Sequence, residues 1–222
     1  MWRTETRFIR DFLNSADPTR KSLHVLKEFR TGYGLPDLLK IEYDKNILVK
    51  RRRNSKSRKL KHFDIDCAYV MAYLSERRWI KLNNLKSNTN LYNGSIKTII
   101  DKLRERGLVI KKGDKIKSKP KKEVFAIKSI VAIEAKLRQW KRAIFQAQRY
   151  LWFTNNSNIL VPTNCNRQLS KIINSCKKYH VGLITLSKDK KILTIIKRKK
   201  RKPYNTYLAW LLNELLLDRI KR

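Results

Sequence analysis

Apolar residues recur at helical spacing between residues 8 and 13, which predicts a short amphipathic helix ending near Pro18. Residues 22–50 follow with two runs that favour strands, and Gly32 and Gly34 lie between them where a turn is needed. We therefore expect the chain to begin with a helix and a β-hairpin.

A polar, basic run interrupts this pattern at residues 50–61, where 8 of 12 residues are Lys or Arg. Such low complexity is typical of a linker or an exposed loop and marks a module boundary. Residues 63–122 then predict an apolar helix, a short helix, a polar turn, a longer helix ending at Gly107, and a hairpin around Gly113 and Asp114.

The order of elements within residues 63–122 resembles a winged helix-turn-helix. The helix from Ser95 to Arg106 would be its recognition helix, and the hairpin would be its wing. A plain three-helix structural insert is the open alternative. Basic side chains favour the DNA-binding interpretation, because a helix in a groove needs positive groups near phosphates. The predicted DNA contacts are Arg51, Arg52, Arg53, Lys97, Lys102, Arg104 and Arg106.

The second half of the chain alternates between two kinds of segment. Between residues 123 and 196, three Val-, Ile- or Leu-rich runs favour strands, and two segments with helical spacing separate them. This alternation predicts an α/β sheet with crossover helices. The core would then comprise residues 1–50 and 123–196, with residues 51–122 as a basic linker and inserted module.

Residues 197–222 join a second basic run to a Leu-rich, amphipathic C-terminal helix. Asn213, Glu214 and Asp218 are expected on its polar face, opposite the leucines. We expect this helix to pack on the core or to form a homodimer interface, rather than to anchor the protein in a membrane.

The net charge narrows the choice of partner. The chain has 54 Lys and Arg against 18 Asp and Glu, a formal net charge of +36 at pH 7. Such a chain repels itself unless it meets a polyanion, so the expected partner is nucleic acid, as duplex or branched DNA. No small-molecule substrate is expected. A solvated Lys-rich surface is the alternative, but the basic residues cluster.

The cysteines and the N-terminal residues favour an intracellular protein. Cys67, Cys165 and Cys176 lack metal-binding spacing, and buried thiols in a reducing cytoplasm explain them better than zinc ligands. The N-terminal residues show no signal-peptide pattern, and no uncharged run has the length of a membrane span. We expect a cytoplasmic, nucleoid-associated protein without a membrane partner.

Acidic residues on the predicted core strands are the candidate chemistry. Side chains two apart in a strand point the same way, so Glu134 and Lys136 project together. Asp37 shares a strand face with Leu39 and Ile41, where a lone charge is costly unless it is paired or coordinated. These groups form either an ordinary ion pair or a cation site, since Mg²⁺ is held by one or two carboxylates plus phosphate oxygens.

Three short motifs carry a resemblance to a known family. Pro-Asp at 36–37 followed by Glu-Ala-Lys at 134–136 resembles the PD-(D/E)xK nuclease superfamily. The sequence QAQRY at 146–150 is similar to the QxxxY element of its RecB-type branch, and its first and last side chains share one helix face. The motifs are short, but their order and strand context agree with the family.

The resemblance implies a restriction-endonuclease-like mixed sheet flanked by helices, with the winged-helix module inserted and a C-terminal helix. It implies a metal-dependent DNA endonuclease that uses Mg²⁺, with Mn²⁺ as a substitute, and leaves a 5′-phosphate and a 3′-hydroxyl. Asp37 and Glu134 would bind the metal, and Lys136 would assist the attacking water. The other implied site residues are Gln146 and Tyr150 as supporting groups, and Glu28 and Glu5 as looser acidic positions.

Two further functions remain open. A non-enzymatic DNA-binding regulator could use the nuclease-like core as a dimer scaffold. An RNA-binding structural protein is motivated by charge alone, and the clustered acids weigh against it.

Overall fold

A computed structural model describes residues 2–16, 22–55, 62–89, 93–163, 168–203 and 206–219 of the chain. Two compact units divide it: unit 1 comprises Met1–Tyr43 and Lys128–Tyr204, and unit 2 comprises Asp44–Ile127 and Asn205–Arg222. Unit 1 is therefore made of two chain segments with most of unit 2 between them, and the C-terminal helix belongs to unit 2.

The described residues form helices and strands in both units. In chain order they are α1 (Glu5–Ser15), β1 (Leu23–Lys27), β2 (Leu38–Tyr43), α2 (Lys45–Ser55), α3 (Ile65–Leu74), β3 (Ile80–Lys81), α4 (Leu82–Thr89), α5 (Asn93–Glu105), β4 (Val109–Lys112), β5 (Lys115–Ser118), α6 (Lys121–Val124), β6 (Ile127–Ala135), α7 (Trp140–Tyr150), β7 (Asn156–Pro162), α8 (Leu169–Lys178), β8 (Gly182–Leu186), β9 (Ile192–Ile196) and α9 (Tyr207–Arg219).

Unit 1 is built on a six-stranded sheet with the order β1-β2-β6-β7-β8-β9. The pairs β1–β2 and β8–β9 are antiparallel, whereas β6–β7 and β7–β8 are parallel, so α7 and α8 are the crossover connections. On one face, α7 and α8 bury Ala143 and Ile172 against β7 and β8. On the other face, α1 buries Phe8 and Phe12. The predicted α/β class, with a mixed sheet flanked by helices, is confirmed.

Unit 2 combines helices with a three-stranded sheet of order β3-β5-β4. The predicted hairpin is present: β4 and β5 pair antiparallel around Gly113, which has a φ of +55° that suits glycine. The predicted longer helix is present as α5. Leu74, Leu85, Leu103 and Ile116 are fully buried and form the apolar interior of this unit.

The C-terminal helix α9 packs on α2 and α3 within unit 2. Leu212 and Leu216 are buried as expected, but Asn213 and Glu214 are buried too. The prediction that these two form a polar, solvent-facing side is wrong, because Glu214 is neutralised by Arg51 and Arg106. Within the described residues no helix, α9 included, has the length and apolar character needed to cross a bilayer.

The basic run at 50–61 is only partly as predicted. Helix α2 extends to Ser55, and Arg51 is buried, so the first half of the run is not an exposed linker. An arginine can be buried when its charge and donors are paired, as they are here. Residues 56–61 lie outside the described part of the chain.

The cysteines that the structure describes are buried free thiols, as predicted. These are Cys67 and Cys176, and burial raises the pKa of each to about 12. Cys165 lies outside the described residues.

Candidate functional site

Glu134 and Lys136 lie at the end of β6, in the interior of the unit 1 sheet. Lys136 Nζ is 3.2 Å from Glu134 Oε1, so the predicted common face is confirmed. Ala135, between them, points to the opposite face and packs with Phe8. The backbone N of Lys136 donates to the carbonyl of Leu160 at 3.0 Å, which continues the β6–β7 pairing past the strand end.

The β1–β2 hairpin brings Asp37 beside this pair. Asp37 directly precedes β2, and its Oδ2 accepts a 2.7 Å hydrogen bond from the backbone N of Ala135. The backbone N of Glu28 donates to the Asp37 carbonyl at 3.2 Å and closes the hairpin. Glu28 itself has a φ of +47° and an exposed side chain. The structure thus unites Asp37 with Glu134 and Lys136, with Glu28 at the edge of the group.

Four oxygen atoms surround the ammonium of Lys136. Glu5 Oε2 is 3.0 Å away, the Ala135 carbonyl oxygen 3.1 Å, Glu134 Oε1 3.2 Å and Asp37 Oδ2 3.9 Å. One lysine thus stands among three carboxylates. In a chain with a net charge of +36, this is a locally acidic point that attracts cations.

Tyr150 holds the other oxygen of Glu134. Its hydroxyl donates to Glu134 Oε2 at 3.0 Å, and its side chain is buried. A Cβ added to Gly34 would lie 3.1 Å from Tyr150 Cε1, and Gly34 has a φ of +130°. Only glycine suits both conditions. Tyr150 therefore connects the Glu134 carboxylate to the hairpin that carries Asp37.

Gln146 lies one turn before Tyr150 on α7 and lines a cavity of about 1160 Å³ next to Lys136 and Glu5. Its Oε1 is buried and has no hydrogen-bond partner among the described residues. A buried acceptor of this kind needs a donor, such as an ordered water molecule. The basic residues that line the same cavity are Arg3, Arg138, Arg142 and Lys188, all exposed.

Burial and crowding raise the proton affinity of the carboxylates. Burial and then the charge of Asp37 raise the pKa of Glu134 to about 7, against the opposing effects of Lys136 and Tyr150. Burial also raises the pKa of Asp37, and the nearby negative charge of Glu28 acts in the same direction. Glu134 can therefore exchange a proton near neutral pH.

Lys136 and Tyr150, the two groups that contact the Glu134 carboxylate, keep their protons. Burial lowers the pKa of Lys136, but the hydrogen bond that Lys136 donates to Glu5 and the charge of Glu134 outweigh it, and the net shift is upward. Burial, followed by the charge of Glu134, raises the pKa of Tyr150. Lys136 thus remains a cation, and Tyr150 remains a hydrogen-bond donor.

The oxygen donors in this site are of the kind that Mg²⁺ prefers. Asp37 and Glu134 contribute carboxylates, and the Ala135 carbonyl oxygen also faces the Lys136 ammonium. No group of three or more His, Cys, Asp or Glu residues within the described ranges is arranged to hold a metal. Two carboxylates suffice when water and substrate phosphate complete the shell. The residues therefore fit Mg²⁺, which would share these oxygens with Lys136.

Two predicted DNA contacts of unit 2 lie in its interior. The side chains of Arg51 and Arg106 are 6% and 2% exposed and pair with Glu214 at 2.6 and 3.0 Å. Arg106 also pairs with Asp218 at 3.2 Å. These arginines neutralise a buried acid and cannot reach DNA phosphates at the surface, so we leave them out of the proposed interface.

The other predicted contacts differ in exposure. Lys102 is ion-paired with Asp64, and Arg52 donates to the Leu217 carbonyl. By contrast, the remaining basic residues of the predicted set are exposed. These are Arg53 on α2 and Lys97 and Arg104 on α5.

Several residues near the site were not predicted from the sequence. Glu5 was expected only as a loose acidic position, but it makes the closest contact to Lys136. The four exposed basic residues of the cavity come from three chain segments, with Arg138 and Arg142 on the same one, so only the fold brings them together. The weak sequence signal is that Arg138 and Arg142 closely follow the Glu-Ala-Lys motif.

Comparison with family models, with curated proteins and with solved structures found no match to this chain.

Proposed function

We propose that this chain is a Mg²⁺-dependent DNA endonuclease of the PD-(D/E)xK type, which hydrolyses phosphodiester bonds in unit 1. The supporting observation is the convergence of Asp37, Glu134 and Lys136, in which the pKa of Glu134 is raised to about 7. Crowded carboxylates destabilise a fold, and strongly perturbed pKa values cluster at functional sites. The basic cavity beside the site favours a phosphate-containing substrate.

The protein groups have separate roles in this proposal. Mg²⁺, or Mn²⁺ in its place, held by Asp37, Glu134 and the Ala135 carbonyl, would stabilise charge on the scissile phosphate and lower the pKa of bound water. Tyr150 fixes Glu134 by its hydrogen bond. Lys136 remains charged, so it orients the attacking water and attracts the phosphate.

The cavity residues extend the proposed site along the DNA backbone. Arg3, Arg138, Arg142 and Lys188 line it together with Lys136. None of these four is ion-paired to another described residue, so their charges are available to phosphates. Binding through them should weaken as salt rises, because each neutralised phosphate releases counterions. The buried Oε1 of Gln146 would accept a hydrogen bond from water at the cavity wall.

Unit 2 supports a finer proposal, a winged helix-turn-helix that positions DNA. Its elements follow the order α3, β3, α4, α5, β4, β5, with α5 as the recognition helix and the β4–β5 hairpin as the wing. Lys97 and Arg104 are exposed on α5. The hairpin adds exposed Lys111, Lys112 and Lys115.

A cleavage assay tests the proposed function. Supercoiled, linear duplex, branched and single-stranded DNA would be incubated with the full chain in Mg²⁺, Mn²⁺ or EDTA, and the product ends would be identified. We expect metal-dependent cutting that leaves 5′-phosphates and is lost in Lys136→Met. Cutting that persists in EDTA, or an unchanged rate in Lys136→Met, would refute the proposal.

The alternative is a DNA-binding regulator without catalytic activity, which the exposed lysines of α5 and the hairpin favour. It predicts tight binding to one duplex sequence with no cleavage in either metal. In that case the Glu134–Lys136 contact would be a structural ion pair. A homodimer fits either proposal.

A further inference from the structure

An exposed aromatic surface lies next to the candidate site, on the side of Tyr150. Tyr33, in the β1–β2 hairpin, is parallel to Trp152 with ring centroids 6.1 Å apart and 5° between the planes. Trp152 is 52% exposed. We call half-buried Tyr33 and exposed Trp152 the aromatic platform; Phe145, on α7, is a further exposed aromatic residue, 62% exposed.

The platform is attached to the site by rigid contacts. Tyr33 precedes Gly34, whose backbone lies against the Tyr150 ring, and Tyr150 binds Glu134. Thr31 fixes the turn: its Oγ1 donates to the Gly34 carbonyl at 2.8 Å and accepts from the Tyr33 backbone N at 3.1 Å. Tyr33 also stacks on buried Phe153, with centroids 5.8 Å apart. The rings are therefore held in place before any ligand binds.

We propose that the aromatic platform binds unpaired nucleobases of DNA whose backbone enters the candidate site. The inference rests on the proposed nuclease function, because it names the class of substrate. Bases within a duplex are stacked on one another and cannot offer their faces to protein rings. An exposed platform beside a phosphate site therefore selects DNA with unpaired nucleotides near the scissile bond, such as a flap, a branch or a single strand.

Charge favours DNA over a protein partner for this surface. Exposed Arg30 lies in the same hairpin, and exposed Arg149 lies on α7 between Phe145 and Trp152. Single-strand binding surfaces combine aromatic rings with cations in this way, since rings stack on bases and cations hold the backbone. The net charge of +36 adds to the attraction of a polyanion.

Binding without cleavage tests the inference. The full chain in EDTA would be titrated with a duplex hairpin and with the same hairpin carrying an unpaired oligothymidine flap, using 2-aminopurine in the flap as a stacking probe. We expect about tenfold tighter binding of the flap DNA, with quenching of the probe. Trp152→Ala should abolish this preference and leave duplex affinity unchanged. Trp152→Phe should retain most of it.

Tyr179→Ala is the matched control, because Tyr179, the C-cap residue of α8, is an aromatic residue outside the platform and is 37% exposed. It should leave the flap preference intact. Equal affinity of the wild type for both DNAs would overturn the inference. An unchanged preference in Trp152→Ala would also overturn it.

The two proposals can fail separately. A flap preference that depends on Trp152, with no cleavage in any metal, would refute the nuclease and retain the platform. Metal-dependent cutting of the flap DNA, at the same rate in wild type and Trp152→Ala and no faster than that of plain duplex, would refute the platform and retain the nuclease.

Discussion

Among the described residues, each unit buries one glutamate beside basic residues, but the two glutamates differ in how many positive partners surround them. In unit 2, Glu214 receives hydrogen bonds from two arginines, Arg51 at 2.6 and 3.0 Å and Arg106 at 3.0 Å, and a further one from Asn213 at 2.9 Å. In unit 1, Glu134 has one lysine and one tyrosine, and its neighbour Asp37 is a second acid that raises its pKa.

On the proposed function, this difference separates a structural charge, Glu214, from a reactive one, Glu134. Glu214 has more positive partners than its own charge requires, and its role is to join α9 to α2 and to the end of α5. Glu134 shares its one positive partner, Lys136, with Asp37 and Glu5, and Lys136 lines a large basic cavity. The excess of carboxylates around Lys136 is what the proposed cation site requires, whereas the arginines around Glu214 leave no excess of negative charge.

The largest expected effect is on the free energy of unfolding, through the buried pairing of Glu214 with Arg51 and Arg106. Glu214→Gln leaves Arg51 buried without an acid and Arg106 with Asp218 alone, which should cost about 3–5 kcal/mol in the free energy of unfolding. Glu134→Gln should leave stability equal or higher, because it removes repulsion with Asp37. Chemical denaturation of both variants gives the comparison. If Glu134→Gln were the more damaging change, Glu134 would be the structural acid.

The pH dependence of stability sharpens the same contrast. The pKa of Glu134 rises from 4.5 to about 7 on folding, so the folded protein keeps a proton that the unfolded chain releases between these values. Stability should therefore fall as pH rises through this window, and Asp37 acts in the same direction. Denaturation in EDTA from pH 4 to 8 should show this fall in wild type and a smaller one in Glu134→Gln.

Glu42→Gln is the control for that series, since Glu42 lies on the same sheet and pairs with exposed Lys200 at 2.7 Å. It should keep the fall in stability that Glu134 causes, because Glu42 lies outside the cluster of Asp37, Glu134 and Lys136. A profile that is equally flat in wild type and Glu134→Gln would show that Glu134 is ionised like an ordinary acid.

A smaller effect is expected from the Tyr150 hydroxyl. Tyr150→Phe removes the hydrogen bond to Glu134 while keeping the ring against Gly34. A hydrogen bond to a charged group is worth about 1.5–3 kcal/mol, so cleavage should slow by about tenfold or more. Because this bond lowers the pKa of Glu134, the rise of cleavage rate with pH should move to higher pH. A changed rate with an unmoved profile would limit Tyr150 to packing.

The smallest expected effects are on the surface of α5. Lys97→Ala and Arg104→Ala should each reduce the salt dependence of DNA binding by about one phosphate contact. Lys102→Ala, which removes an ion pair with Asp64, should change stability more than salt dependence. Equal salt slopes in all three variants and wild type would exclude α5 from the DNA interface.

The sequence predicted most of the unit 1 strands and the helices between them, because their apolar periodicity is strong. Strand geometry also predicted that Glu134 and Lys136 are neighbours, and the resemblance implied Asp37 and Tyr150 beside them. The edge strand β9 was not predicted. Its exposed positions, such as Leu193 and Ile195, give no clear alternation of buried and polar residues.

Long-range charge pairing could not be read from the sequence. Arg51 and Arg106 belong to basic segments that are typical of a DNA-binding surface, and only the fold shows that Glu214 neutralises both. The same limit applies to the cavity and the aromatic platform. Arg3 and Lys188, or Tyr33 and Trp152, meet because distant segments fold together.

The most direct test of the central claim is plasmid nicking by wild type, Glu134→Gln and Glu42→Gln, side by side in Mg²⁺ and in EDTA. We expect wild type and Glu42→Gln to nick in Mg²⁺ only, and Glu134→Gln to be slower by at least about 10²-fold, the scale of losing an electrostatic stabiliser of the transition state. Equal nicking by Glu134→Gln and wild type, or no nicking by wild type on any DNA, would contradict the assignment of this cluster as a nuclease site.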